Sequence, residues 1–219
     1  AASAPVKLNG DLFLMHKQSE ALWRPVRFKR SELMRVLGNS AVAEAYPLYL
    51  GLAPFKNIQT RTKRTLMVYG FDPDSQIFKI DAIDDKRAEL RLKDSVLFDE
   101  YSRPEFGPMR QLLAADQNVT EINDYKVTVV GLFRLGVSFA ADGNVVTSDL
   151  NFMRIFSRRN HEDIDLGVIK LHPGASATQV QAALRSQLNE FVNIFTYEEL
   201  LSYEKDYWAN TAPIGFIFG

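Results

Sequence analysis

Three histidines, His16, His161 and His172, are where metal chemistry would begin, because zinc is held by imidazoles and carboxylates brought onto one face. None of the three stands with two other His, Asp or Glu at helical spacing, so no metal is expected. General acid–base catalysis asks for two carboxyl groups in a pocket with their pKa values pushed apart. The closest carboxylate clusters, Asp84 with Asp85 and Asp163 with Asp165, sit among polar, turn-forming residues and read as solvated loops. Ser138, Ser148 and Ser157 lack the Gly-x-Ser-x-Gly elbow of a hydrolase nucleophile. Gly131 and Gly136 lack the spacing that cradles a phosphate. The chain has no cysteine, which removes disulfides, thiolate nucleophiles and cysteine-held zinc. A protein that is not an enzyme and carries no cofactor is expected.

Recognition chemistry is better represented. Residues 101–108 set Tyr101, Arg103 and Phe106 around two prolines, and residues 133–144 offer Phe133 and Phe139 ahead of a turn at Asp142–Gly143. Aromatic and arginine side chains on stiff segments are the usual anchors of protein interfaces. These five are the candidate partner-binding residues, with inward packing as core the competing expectation. Basic residues gather at 24–35 and 56–64, where an acidic surface or phospholipid headgroups would be attracted; a solvated face is the simpler reading. Net charge is only −1 over 219 residues, so nucleic acid is not an expected partner. Asn118-Val119-Thr120 fits the glycosylation acceptor pattern, a frequent chance match.

The elements that would position these groups follow from apolar periodicity. Residues 11–17 predict a first strand, Ser31 a helix cap with Leu33, Val36 and Leu37 facing inward, and Gly38 its end. Residues 42–55 are apolar but interrupted by Pro47, Gly51 and Pro54, which predicts an irregular edge strand. Strands are predicted over 64–71, 95–99, 125–135 and 144–147, the last two as arms of a long hairpin through residues 136–143. Ser148 is placed to cap a short helix reaching Phe156. The pattern then repeats its opening: a strand over 164–171, a turn at His172-Pro173-Gly174, a helix with Val180, Ala183, Leu184 and Leu188 inward, and a strand over 191–195. Thr196 and Glu199 form a capping box that starts a last helix. Tyr203, Tyr207 and Trp208 on that helix, followed by the uncharged residues 214–219, look like a helix meeting a bilayer. Two strand–helix–strand units around a strand-rich middle predict an α+β protein of split, ferredoxin-like type.

Residues 127–133 and 142–148, with the Ser-Arg-Pro-Glu-Phe-Gly block at 102–107, the Ser-Phe-Ala-Ala-Asp-Gly-Asn block at 138–144 and the stretch 207–219, resemble the periplasmic core domain of MacB-like and FtsX-like ABC transporter permeases, most nearly the DevC type. The resemblance spans essentially the whole chain. It implies a porter-like part (1–60 and 160–208), an inserted sabre (61–159) and the start of a membrane helix at 209–219. It further implies a periplasmic domain of an inner-membrane protein in a Gram-negative, possibly cyanobacterial, envelope. The implied partners are a cytoplasmic ABC ATPase, a second permease copy, a membrane fusion adaptor and a TolC-like outer-membrane channel. The last helix, with Thr196, Glu199, Leu200, Tyr207 and Trp208, would transmit ATP-driven motion to the domain and so drive export of a lipid or other cargo. Two alternatives remain: a lipid- or solute-binding module like those of lipoprotein-releasing relatives, and an envelope regulator that activates a cell-wall hydrolase.

Overall fold

The computed structural model describes residues 4–136 and 141–211, with backbone only for Ala4, Pro5, Trp208, Asn210 and Thr211. After a short helix α1 (Ala4–Lys7), strand β1 (Leu12–His16) is buried on both faces. Strand β2 (Phe28–Lys29) runs straight into helix α2 (Arg30–Arg35). Because the chain enters from an extended pairing, Lys29 takes the N-cap position and makes no side-chain cap bond. Ser31, expected there, lies inside the first turn. Leu33 and Val36 are buried as expected, but the helix tightens into a 3₁₀ turn (Val36–Gly38) that leaves Leu37 exposed.

Strand β3 (Val42–Lys56) departs most from expectation. It is a continuous 15-residue strand in the middle of the sheet, not an irregular edge. Its first half pairs with one neighbour and its second half with another on the opposite side. Along most of either half only one edge is laddered, so Pro47 and Pro54 fit without the N–H that a doubly paired strand would require.

The middle of the chain supplies β4 (Lys63–Phe71), α3 (Asp81–Asp84), α4 (Arg87–Leu90), β5 (Ser95–Asp99), α5 (Met109–Ala114), β6 (Val119–Ile122), β7 (Tyr125–Phe133), β8 (Asn144–Ser148) and α6 (Asp149–Ile155). Strands β7 and β8 do not form the expected hairpin. Between them lies β5, parallel to β7 and antiparallel to β8. Every residue of β5 and of β8 is buried, so both strands take interior places with a neighbour on each side. Strand β6 returns to β3 through Phe55 and Ile122, which closes β3-β4-β8-β5-β7-β6 into a ring of six strands. Inside it Phe55, Phe98 and Phe106 meet with ring centroids 5.4–5.9 Å apart. Ser148 caps α6 through the Asn151 N–H, as read from the sequence. The helix can pack closely on β4 because Gly70 has no side chain: a Cβ there would come within 2.5 Å of Phe152.

The last part brings β9 (Asp163–Ile164), β10 (Leu166–Leu171), α7 (Ala177–Arg185), β11 (Val192–Thr196) and α8 (Tyr197–Thr211). Helix α7 is capped by Ser176 and buries Gln181 where Ala183 was expected. The strand order β11-β1-β10-β3, antiparallel throughout, is two interleaved strand–helix–strand units, the ferredoxin-like arrangement. Strand β3 belongs both to this sheet and to the ring. Alternation along β1 sends Leu12 and Leu14 to the face covered by α2 and α7, and Phe13 and Met15 to the face covered by Leu200 of α8. Leu33 of α2 seats on Gly167, where a Cβ would come within 2.6 Å of it.

Candidate functional site

Four of the five candidate partner-binding residues gather at the end of the ring where β5 and β7 finish, and the structure divides them. Tyr101 and Arg103 are exposed, whereas Phe106 and Phe133 are buried in the core. Phe139 lies outside the described residues. What holds the exposed pair is a residue that sequence reading passed over. Asp99 ends the apolar strand β5 fully buried, and its carboxylate accepts from the N–H groups of Tyr101 (3.0 Å), Leu135 (2.9 Å) and Gly136 (2.8 Å) and from Asn144 Nδ2 (2.8 Å). One carboxylate thereby ties the start of the 101–108 segment to both sides of the 136–144 connection. Around it, Asp142 bridges Arg64 (2.8 Å) and Arg103 (2.6 Å), and Glu100 bridges Arg110 and Arg134. Arg134 also sits 5.5 Å over the Tyr101 ring. The hydrogen bond from Arg64, with the charge of Arg103, holds the Asp142 carboxyl below the ordinary carboxylate range despite some burial. Arg134 and Arg110 do the same for Glu100. The outcome is a polar, braced tip that presents Tyr101 and Arg103 on a fixed backbone.

The second assembly is α8. Its capping box forms as read: Thr196 N–H donates to Glu199 Oε2 (2.9 Å) and Glu199 N–H to Thr196 Oγ1 (3.2 Å). Glu199 accepts in addition from Gln181 Nε2 of α7, which also donates to the Ile194 carbonyl of β11 (2.9 Å). Three elements therefore meet at the start of α8. Leu200 is fully buried against the sheet. Farther along, the Tyr203 hydroxyl donates to the Ser19 carbonyl, Glu204 accepts from the Leu22 N–H at 2.5 Å, and the Tyr207 ring meets Trp23 edge-on at 6.0 Å. These contacts clip α8 to the segment after β1. Glu204 and Gln181 left no signal in sequence, since each is one polar residue on an otherwise ordinary helix. The side chain of Trp208 and residues 212–219, with the apolar tail, lie outside the described residues. Among the described residues no helix is long and apolar enough to cross a membrane.

The His161 ring is occupied by Asp149 (2.9 Å) and Arg30 (3.0 Å). Asp163 and Asp165 diverge: Asp163 pairs with Lys29 at the surface, while Asp165 is buried with Arg159 at 2.6 Å.

No family model matches the chain, and no curated protein matches it in sequence. Solved structures do. The periplasmic region of MacB from Actinobacillus actinomycetemcomitans aligns with a TM-score of 0.58 at 12% identity, covering 94% of this chain and 95% of that one. The chain has the fold of the MacB periplasmic region. The extracellular domain of YknZ, a noncanonic ABC-type transporter from Gram-positive bacteria, aligns with a TM-score of 0.52 at 11% identity, over 85% and 99% of the two chains. Both alignments run through most of the MacB-like fold described above, the ring and the ferredoxin-like sheet together.

Proposed function

We propose that the chain is the extracytoplasmic domain of an ABC transporter permease and that it relays motion from a cytoplasmic ATPase to transport outside the membrane. The observation that carries this reading is the near end-to-end match to the MacB periplasmic region, 94% of one chain on 95% of the other. The ferredoxin-like sheet is the porter-like part (1–60 and 160–208), the segment 61–159 is the sabre-like insertion, and 209–219 lead toward a membrane helix. The braced contacts of α8 suit it to carry displacement, because a helix fixed at its start and clipped along its length moves with the body it is packed on.

The finer reading is a DevC-type exporter in a Gram-negative envelope, working as a permease homodimer with a membrane fusion adaptor and an outer-membrane channel. Tyr101 and Arg103 then form the adaptor-facing tip. YknZ is from Gram-positive bacteria, so the fold also serves where there is no outer membrane, and the adaptor and channel need their own test. The full-length permease, purified from membranes after crosslinking in cells from a photoreactive residue at Tyr101, tests both levels. An ABC ATPase that co-purifies supports the general reading, and its absence contradicts it. An adaptor crosslinked at Tyr101 supports the finer one, and a cell-wall hydrolase in its place overturns it.

A further inference from the structure

Beside the segment that clips α8 there is a cleft of about 380 Å³ whose walls include Trp23, Arg24, Arg27, Leu52, Met67 and Arg159. Its three guanidinium groups are held in different ways. Arg24 lies 5.4 Å from the centroid of the Trp23 ring and is paired with Glu20 at 3.0 Å, so its fork is oriented without being buried. Arg159 is nearly buried. It donates to the Leu50 and Asp163 carbonyls and to Asp165, yet its Nε–H is buried with no acceptor. Arg27 is exposed and has no hydrogen-bond or ion-pair partner among the described residues. Asp165 is the carboxylate among the lining residues and Glu20 pairs with Arg24, so Arg27 is the guanidinium left over.

Arg159, tied to Asp165 and two carbonyls, is a fixed charge at the base of the cleft, while the exposed forks of Arg24 and Arg27 are within reach of a ligand. Guanidinium forks match the oxygens of a phosphate and are less hydrated than ammonium groups, so arginine suits this task better than lysine. Trp23, Leu52 and Met67 add an apolar wall that a bare inorganic ion would not use. We propose that this cleft is a binding site for a phosphate ester carrying an apolar substituent, its oxygens taken by Arg24 and Arg27 with the fixed charge of Arg159 behind them, and its substituent lying on Trp23, Leu52 and Met67. A phospholipid headgroup and a soluble organic phosphate share that chemistry. Trp23 also touches Tyr207, so the occupied cleft would press on the second half of α8.

Calorimetry on the 219-residue chain with inorganic phosphate and hexyl phosphate, and flotation with phosphatidylcholine vesicles with and without phosphatidic acid, test the site. Hexyl phosphate is expected to bind saturably and about tenfold or more tighter than inorganic phosphate. Arg24→Ala and Arg27→Ala are each expected to weaken it about tenfold with the thermal midpoint unchanged, since both side chains are exposed. Flotation that requires phosphatidic acid and is lost in both variants assigns the ligand to a lipid; hexyl phosphate binding without flotation assigns it to a soluble ester. Absence of saturable hexyl phosphate binding, or binding that both variants retain in full, overturns the proposal.

Discussion

At the scale of single residues, the tip depends on Asp99, because one buried carboxylate satisfies donors from three separate stretches of chain. Asp99→Ala strands those donors, and denaturant unfolding is expected to show a loss of about 3 kcal/mol, since buried groups left without partners cost far more than a mean hydrogen bond returns. A loss below about 1 kcal/mol would mean that water replaces the carboxylate. Asp142 gives a pH signature. Its folded pKa is held low by Arg64 and Arg103, so its contribution to stability is complete above the unfolded carboxylate value of about 3.9 and fades as pH falls through the folded pKa. A carboxyl ¹³C titration should place the Asp142 midpoint below the ordinary value and show Arg103→Ala moving it upward. A midpoint unmoved by that substitution would remove Arg103 from the bridge.

At the scale of elements, α8 is the part whose geometry matters most. Thr196→Ala should cost about 1 kcal/mol as a lost cap, and Glu199→Ala more, because it also removes one of the two acceptors of Gln181 Nε2. Leu200 is fully buried, so a proline there would damage the core along with the helix. Ser202 is exposed and gives a cleaner break. Ser202→Pro should cost about 3 kcal/mol of helix stability and, on the proposed reading, abolish transport by the full-length permease, while Ser202→Ala leaves it intact. Export by the proline variant at the normal rate would count against α8 as a rigid connector. The capping box was legible in sequence because its signal is local: two residue types three positions apart. The course of β3 was not, since Pro47 and Pro54 read as edge markers until its neighbours are known to occupy different halves. The supposed hairpin failed for a related reason. Gly136 and Gly143 bound a turn-like segment, but the fully buried patterns of β5 and β8 decide the pairing, and those belong to the sheet as a whole.

At the scale of the molecule, one strand joins two bodies of structure, and the ring shuts on few bonds. Besides the Phe55–Ile122 pair, closure uses the Thr120 hydroxyl to the Lys56 carbonyl, the Asn123 N–H to the Pro54 carbonyl, and the Lys56–Glu121 ion pair. Ile122→Ala, which opens a cavity at that seam, should cost about 2–4 kcal/mol and raise amide exchange along β6 before β4. Uniform exchange across the ring would show that the seam is not its weak point. On the proposed reading, the domain relays motion and so must move as a unit when nucleotide binds. Spin labels at Tyr101 in the two copies of the proposed full-length transporter, with a second pair at Tyr101 and Ser202 within one copy, measure this by pulsed dipolar spectroscopy. The account predicts that ATP changes the distance between copies and leaves the distance within a copy fixed. Identical inter-copy distances with and without ATP would contradict it.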